Sequence, residues 1–124
     1  AGFMVGVLLT GMKYYHQATG DPRAADVLAK AARWLARETY DPATNQFRYT
    51  SCPHSAKPSS TPCMACEGFA YAARLTGEPD LVKLANDVTK DLVARTAGSS
   101  ASAIRFLPRA LWDLDRIEAG HRGK

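Results

Sequence analysis

The sequence predicts an all-α fold, a helical-hairpin repeat of about five helices. Three observations predict it. No stretch alternates apolar and polar residues over six positions with β-branched enrichment, so strand signals are nearly absent. Apolar residues recur instead at helical spacing in five segments, near 2–18, 22–39, 63–76, 79–96 and 102–119. A slide of 57 residues lays the chain on itself, so that Gly11 meets Gly68, Tyr14 meets Tyr71, Thr19 meets Thr76, Gly20 meets Gly77, Pro22 meets Pro79 and Leu35 meets Leu92. The 124 residues suit one domain, 1–124, with hairpin repeats at about 2–39 and 63–96, a long loop at about 40–61 and a final helix at about 102–119.

The first predicted helix is apolar all round from Phe3 to Met12, and its counterpart carries no charge from Gly68 to Ala73. A helix apolar on every side is enclosed by protein or membrane. The apolar run "AGFMVGVLLTGM" has 12 residues, short of the roughly 20 that span a bilayer, so it predicts enclosure by protein. Gly6, Gly11 and Gly68 cost helix propensity and predict close helix contact. The second helix of each hairpin is amphipathic. Val27, Leu28, Ala31, Trp34 and Leu35 form one stripe, with Asp26, Lys30, Arg33 and Arg37 opposite. Leu81, Leu84, Ala85, Val88 and Leu92 repeat that stripe, with Lys83, Asp87 and Lys90 outward. The pattern predicts two layers, first helices inside and second helices outside. The turns "TGDP" and "TGEP" join them: glycine suits the left-handed position past a helix end, Asp21 can cap, and proline suits a first turn. The final helix puts Ile104, Leu107, Leu111 and Leu114 on one side and Arg105, Arg109, Asp113 and Arg116 on the other. Pro108 is expected to kink it or to mark its start.

Composition narrows the function classes. Hydrophobic residues make up 46% and charged residues 23%, ordinary for a globular domain, and the net charge is +4. The basic residues recur every three or four positions along helices, the pattern of a solvated face, and no motif or aromatic–basic interleaving points to nucleic acid. No signal peptide or membrane-spanning segment is recognised in these residues, and the compartment is left open. The start in an apolar helix pattern without Met reads as a processed chain or a piece of something longer.

An inner helix, a "TGDP"-type turn, an amphipathic outer helix and a long return loop together resemble the hairpin unit of the (α/α) toroid proteins. "GMKYYHQATGDPRAADVLAKAARWL" carries the likeness and "EGFAYAARLTGEPDLVKLANDVTKDLV" repeats it. The carbohydrate-active members are the six-hairpin glycosidases and the helical domains of polysaccharide lyases. The resemblance is one of architecture, spans about residues 2–96, and brings no catalytic motif with it. It implies a partial toroid, or else a small bundle, with the substrate on the long-loop face. The alternative is a non-catalytic helical scaffold that binds protein through apolar helices left with too few neighbours. The expected partners are carbohydrate or protein, with the remainder of a larger chain or an oligomer as a further candidate.

"SCPHSAKPSSTPCMACEG" holds all three cysteines. Cys52, His54, Cys63 and Cys66 offer a Cys3His set for structural zinc, with the CxxC half at a helix start, where thiol pKa falls. A redox CxxC, a disulfide from Cys52 to Cys63 or Cys66, and thiols packed under the loop are the other readings. Tyr49, His54 and Trp112 are candidate sugar contacts, although Trp112 is expected in the core. Tyr14, Tyr15 and His16 offer a sugar site or, the expected reading, core and turn packing, and Glu67 is an acid in a cleft or, the expected reading, a helix cap. A paired-carboxylate glycosidase needs two acids facing one cleft, and Glu67 with Asp113 is the best pair the sequence offers.

Overall fold

A computed structural model describes residues 2–48, 50–52, 61–96 and 101–122. Its elements are α1 (Gly2–Thr19), α2 (Pro22–Glu38), β1 (Tyr40–Asp41), β2 (Gln46–Phe47), α3 (Thr61–Thr76), α4 (Pro79–Thr96) and α5 (Ala101–Arg122). The two hairpin turns form as their residues dictate. Gly20 and Gly77 take φ of 65° and 64°, and each amide donates back into the helix before it, to the His16 and Ala73 carbonyls. Asp21 caps α2 by accepting from the Arg23 amide at 2.9 Å, with Pro22 at the first helical position. The Arg23 guanidinium beside it holds the Asp21 carboxyl well below the usual carboxylate range.

The helices pack as two layers. α1, α3 and α5 form the inner one, and α2 and α4 back it, each lying against two inner helices. The inner helices run parallel. Gly6 of α1 lies against Ala65, Leu9 against Gly68, and His16 reaches Tyr71, in rising order along both. Arg105 and Asp113 of α5 meet Glu67 and Arg74 of α3 in the same sense. α3 is the central rod: from Ala65 to Ala73 every residue is buried. Leu28, Ala32 and Leu35 of α2 and Leu81, Ala85, Val88 and Leu92 of α4 complete the core, as the amphipathic stripes require. Ala32 takes the place expected of Val27, which lies at the rim.

Several expectations are corrected. Residues 40–47 are not plain loop: Tyr40 pairs with Phe47 and Asp41 with Gln46 in an antiparallel ribbon. Strands of two residues are too short to show alternation. They are held from outside, by Phe47 packing on Phe69 at 5.0 Å between ring centroids and by Gln46 donating to Asp91 at 2.8 Å. Pro108 lies inside α5, which begins seven residues earlier at Ala101. α1 is only half enclosed, since Met4, Val7 and Leu8 are exposed. These three and Gly11 correspond by the 57-residue slide to Thr61, Met64, Ala65 and Gly68, and α1 itself covers Ala65 and Gly68. Among the described residues nothing covers that face of α1, and a Cβ on Gly11 meets no atom within 4 Å.

The contrast between the two aligned glycines is testable. A Cβ on Gly68 falls 2.4 Å from the Leu9 Cβ and 2.6 Å from the Leu9 carbonyl carbon. Gly68→Ala is therefore expected to destabilise by about 2 kcal/mol, overpacking outweighing the gain in helix propensity. Gly11→Ala is expected to stabilise by roughly 0.5–1 kcal/mol. Urea denaturation of both variants beside the parent checks the two signs.

Candidate functional site

Lys13 is the one Asp, Glu, Lys or Arg in α1, and Glu67 stands alone among the buried residues of α3. An isolated charge in an apolar helix must find partners or leave the core. Both find them where the three inner helices meet. The Lys13 ammonium lies 3.0 Å from Asp113 Oδ2 and 3.4 Å from Glu67 Oε1, with both carboxylates 0% exposed. Arg105, Arg109 and Asp113 are spaced four apart and share one face of α5. Arg105 donates to Glu67 Oε2 at 3.2 Å, and Arg109 approaches Glu67 Oε1 at 3.7 Å. Arg74 donates to Asp113 Oδ1 at 3.1 Å. The Tyr14 hydroxyl donates to Glu67 Oε1 at 2.6 Å and itself accepts from Arg109. Every carboxylate oxygen thus has a partner from another helix.

Around this centre lies an aromatic shell. The Lys13 ammonium sits 5.5 Å from the Tyr71 ring centroid and 5.8 Å from that of Tyr14. The Tyr71 hydroxyl pairs with His16 Nδ1 at 2.8 Å, and burial, then the Asp113 charge, pushes its pKa up. Trp112 is 48% exposed, with the Arg116 guanidinium 4.6 Å and that of Arg74 5.2 Å from its ring centroid. Lys13, Tyr14, Gln17, Arg109 and Trp112 line an open pocket of about 220 Å³ on the inner layer.

The sequence-derived candidates fall unevenly about this pocket. Glu67 is no cap: it lies six residues into α3 and is fully buried. Asp113 is drawn inward from the polar side of α5 by Lys13 and Arg74. Trp112 is at the pocket and not in the core. Tyr14 and Tyr15 are exposed rings whose hydroxyls bond Glu67 and Asp21, so neither is core packing. Tyr49 and His54 lie outside the described residues. Cys52 is exposed while Cys63 and Cys66 are buried. Burial pushes the Cys66 thiol up to about 12 and raises that of Cys63, the reverse of the lowering expected at a helix start. Among the described residues no group of three or more His, Cys, Asp or Glu is placed to hold a metal. A zinc site using His54 depends on residues 53–60, outside that set. Lys13, Gln17, Arg74, Arg105 and Arg109 do not stand out as site residues in the sequence. The lone charge of α1 is the signal that could have found them.

Inner helices joined by glycine turns to amphipathic outer ones define the class, a helical-hairpin protein of the (α/α) kind. A family model described as beta-L-arabinofuranosidase, GH127 catalytic domain, matches residues 2–109. The chain belongs to that family, a glycoside hydrolase-like helical sector whose matched span takes in Lys13, Glu67, Arg105 and Arg109 and stops short of Trp112 and Asp113. No curated protein and no solved structure matches it.

The charge cluster makes a sharp stability prediction. Lys13→Met leaves Glu67 to Arg105, Arg109 and Tyr14 and Asp113 to Arg74, and is expected to cost about 1.5–3 kcal/mol, the worth of the lost charged hydrogen bond. Adding Arg105→Met and Arg109→Met strands the buried Glu67 carboxylate and is expected to raise the loss to about 3–5 kcal/mol. Denaturation of the single and triple variants measures the difference.

Proposed function

We propose that the chain forms part of the sugar-contacting wall of a β-L-arabinofuranosidase-type glycosidase, with the Trp112 pocket as the contact. The carrying observation is the open pocket of about 220 Å³ on the inner layer of a chain belonging to that family. Sugar sites combine a half-exposed aromatic ring with hydrogen-bond donors held in fixed positions. Trp112 supplies the ring, and Gln17, Tyr14 and Arg109 supply polar groups.

Glu67 and Asp113 act in this reading as positioning residues. Acid–base work on a glycoside needs a carboxyl that reaches the glycosidic oxygen. Both of these are fully buried, with every oxygen engaged by Lys13, Tyr14 or an arginine. Their part is to fix Lys13, Tyr14 and Arg109 at the pocket edge. A substrate contact on the long-loop face through Tyr49 and His54, which lie outside the described residues, is a separate part of this proposal and no wall of this pocket.

Trp34 and Trp112 are the two tryptophans, so Trp34→Phe leaves one reporter at the pocket. Titrating that variant with a β-L-arabinofuranoside is expected to give a saturable change in Trp112 fluorescence, abolished by Gln17→Ala. An unchanged spectrum, together with self-association in light scattering that Met4→Glu relieves, supports instead the protein-binding scaffold, whose surface is the exposed Met4, Val7 and Leu8 stripe.

A further inference from the structure

Resting on that reading of the pocket, we infer that Gln17 is its specificity-determining residue, the Gln17 side-chain carbonyl taking the proton of one sugar hydroxyl. A sugar hydroxyl both donates and accepts a hydrogen bond. The other four lining side chains leave it donors alone. The Lys13 ammonium and the Arg109 guanidinium carry no acceptor, and the Trp112 indole has only its N–H. The Tyr14 hydroxyl is already engaged. It donates to Glu67 Oε1 at 2.6 Å and accepts from Arg109, and its hydrogen bond with Arg105 is the first cause of that guanidinium's raised pKa. Lys13 is engaged too, by Asp113 at 3.0 Å and Glu67 at 3.4 Å. Both of those carboxylates are fully buried and closed to a ligand.

Gln17 differs from all of these. It lies one turn beyond Lys13 on the same face of α1, and it is exposed. Its amide makes no hydrogen bond among the described residues. A free amide offers a carbonyl acceptor beside its N–H donors. From the other helix, Arg109 and Trp112 share one face of α5 and close the pocket. Donors alone do not tell a hydroxyl from an ether oxygen or a fluorine, since each presents lone pairs. A site that takes the hydroxyl proton rejects the analogue without one, because its own acceptor is then left unpaired. A neutral furanoside brings hydroxyls and no charge, so the one free side-chain acceptor in the pocket is where it is told from the same ring with a hydroxyl replaced.

Calorimetry on the whole chain tests the inference with methyl β-L-arabinofuranoside and its analogues carrying fluorine in place of a single ring or side-arm hydroxyl. Fluorine keeps nearly the size of the hydroxyl and loses its proton. At least one analogue is expected to bind about fivefold more weakly than the parent sugar, the worth of one neutral hydrogen bond. Gln17→Met keeps the stem and removes the amide. It is expected to bind the parent sugar about fivefold more weakly, and that analogue no more weakly still. Gln17→Glu keeps an acceptor and is expected to retain the discrimination. Melting of both variants is expected to match that of the unaltered chain, because the Gln17 amide bonds nothing in the fold. An unchanged ratio of parent sugar to analogue in Gln17→Met overturns the inference and leaves the pocket reading standing. So does binding of every analogue as tightly as the parent sugar by the unaltered chain. No binding of the parent sugar overturns both the inference and the pocket reading.

Discussion

An ammonium group shut away from water must sit among its counter-charges, and in this fold the Lys13 ammonium sits between carboxylates carried by two other helices. α1 supplies the cation, α3 supplies Glu67 and α5 supplies Asp113. No pair of these helices can slide by a turn, about 5.4 Å, without breaking a contact of 3.0 or 3.4 Å and leaving a charge buried alone. The glycine contacts restrict the register too, since only a residue without a Cβ fits against Leu9 at position 68 and against Ala65 at position 6. The ionic centre adds a second, charged constraint on the same register.

Close approach makes the centre possible. With glycine at position 68, the Leu9 and Thr10 backbone settles against α3, and Gly6 does the same against Ala65. The helices are then near enough for a Tyr14 hydroxyl to reach Glu67 at 2.6 Å. Small residues on one helix and long polar side chains on its neighbours are two sides of one arrangement. The outer helices complete it from behind: Leu28, Leu35, Val88 and Leu92 cover the far side of the inner layer with mainly apolar groups, Thr89 being a buried polar exception, while the charged groups of that layer gather where the pocket opens. The side chains that lock the helices also set the chemistry of the pocket edge.

Much of the scaffold was legible in the sequence because it is written in local terms. Helical spacing, the two glycine–proline turns and the 57-residue slide need only neighbours in the chain, and the five helices lie where those signals put them. The ribbon at Tyr40–Phe47 was not legible, because its two-residue strands are held by Phe69 and Asp91, far away in sequence. The site was legible only in fragments. Glu67 and Asp113 stood out as acids, but the cation that gathers them is distant in the chain from both, and a single lysine looks the same in a sequence whether it ends in solvent or among carboxylates. Burial of Asp113 on the polar side of α5 is likewise a property of α1 and α3 more than of α5. Trp112 went the other way, an aromatic residue on an amphipathic helix that tertiary packing left half open.

Carbodiimide labelling of carboxyl groups, read by mass spectrometry, tests the ionic centre most directly. Glu67 and Asp113 are expected to resist modification in the folded chain, while exposed Asp26 reacts at once, and to react like the others only after unfolding in denaturant. Labelling of Glu67 and Asp113 in the native chain at the rate of Asp26 contradicts the account, because the three inner helices then have no closed charge cluster holding their register.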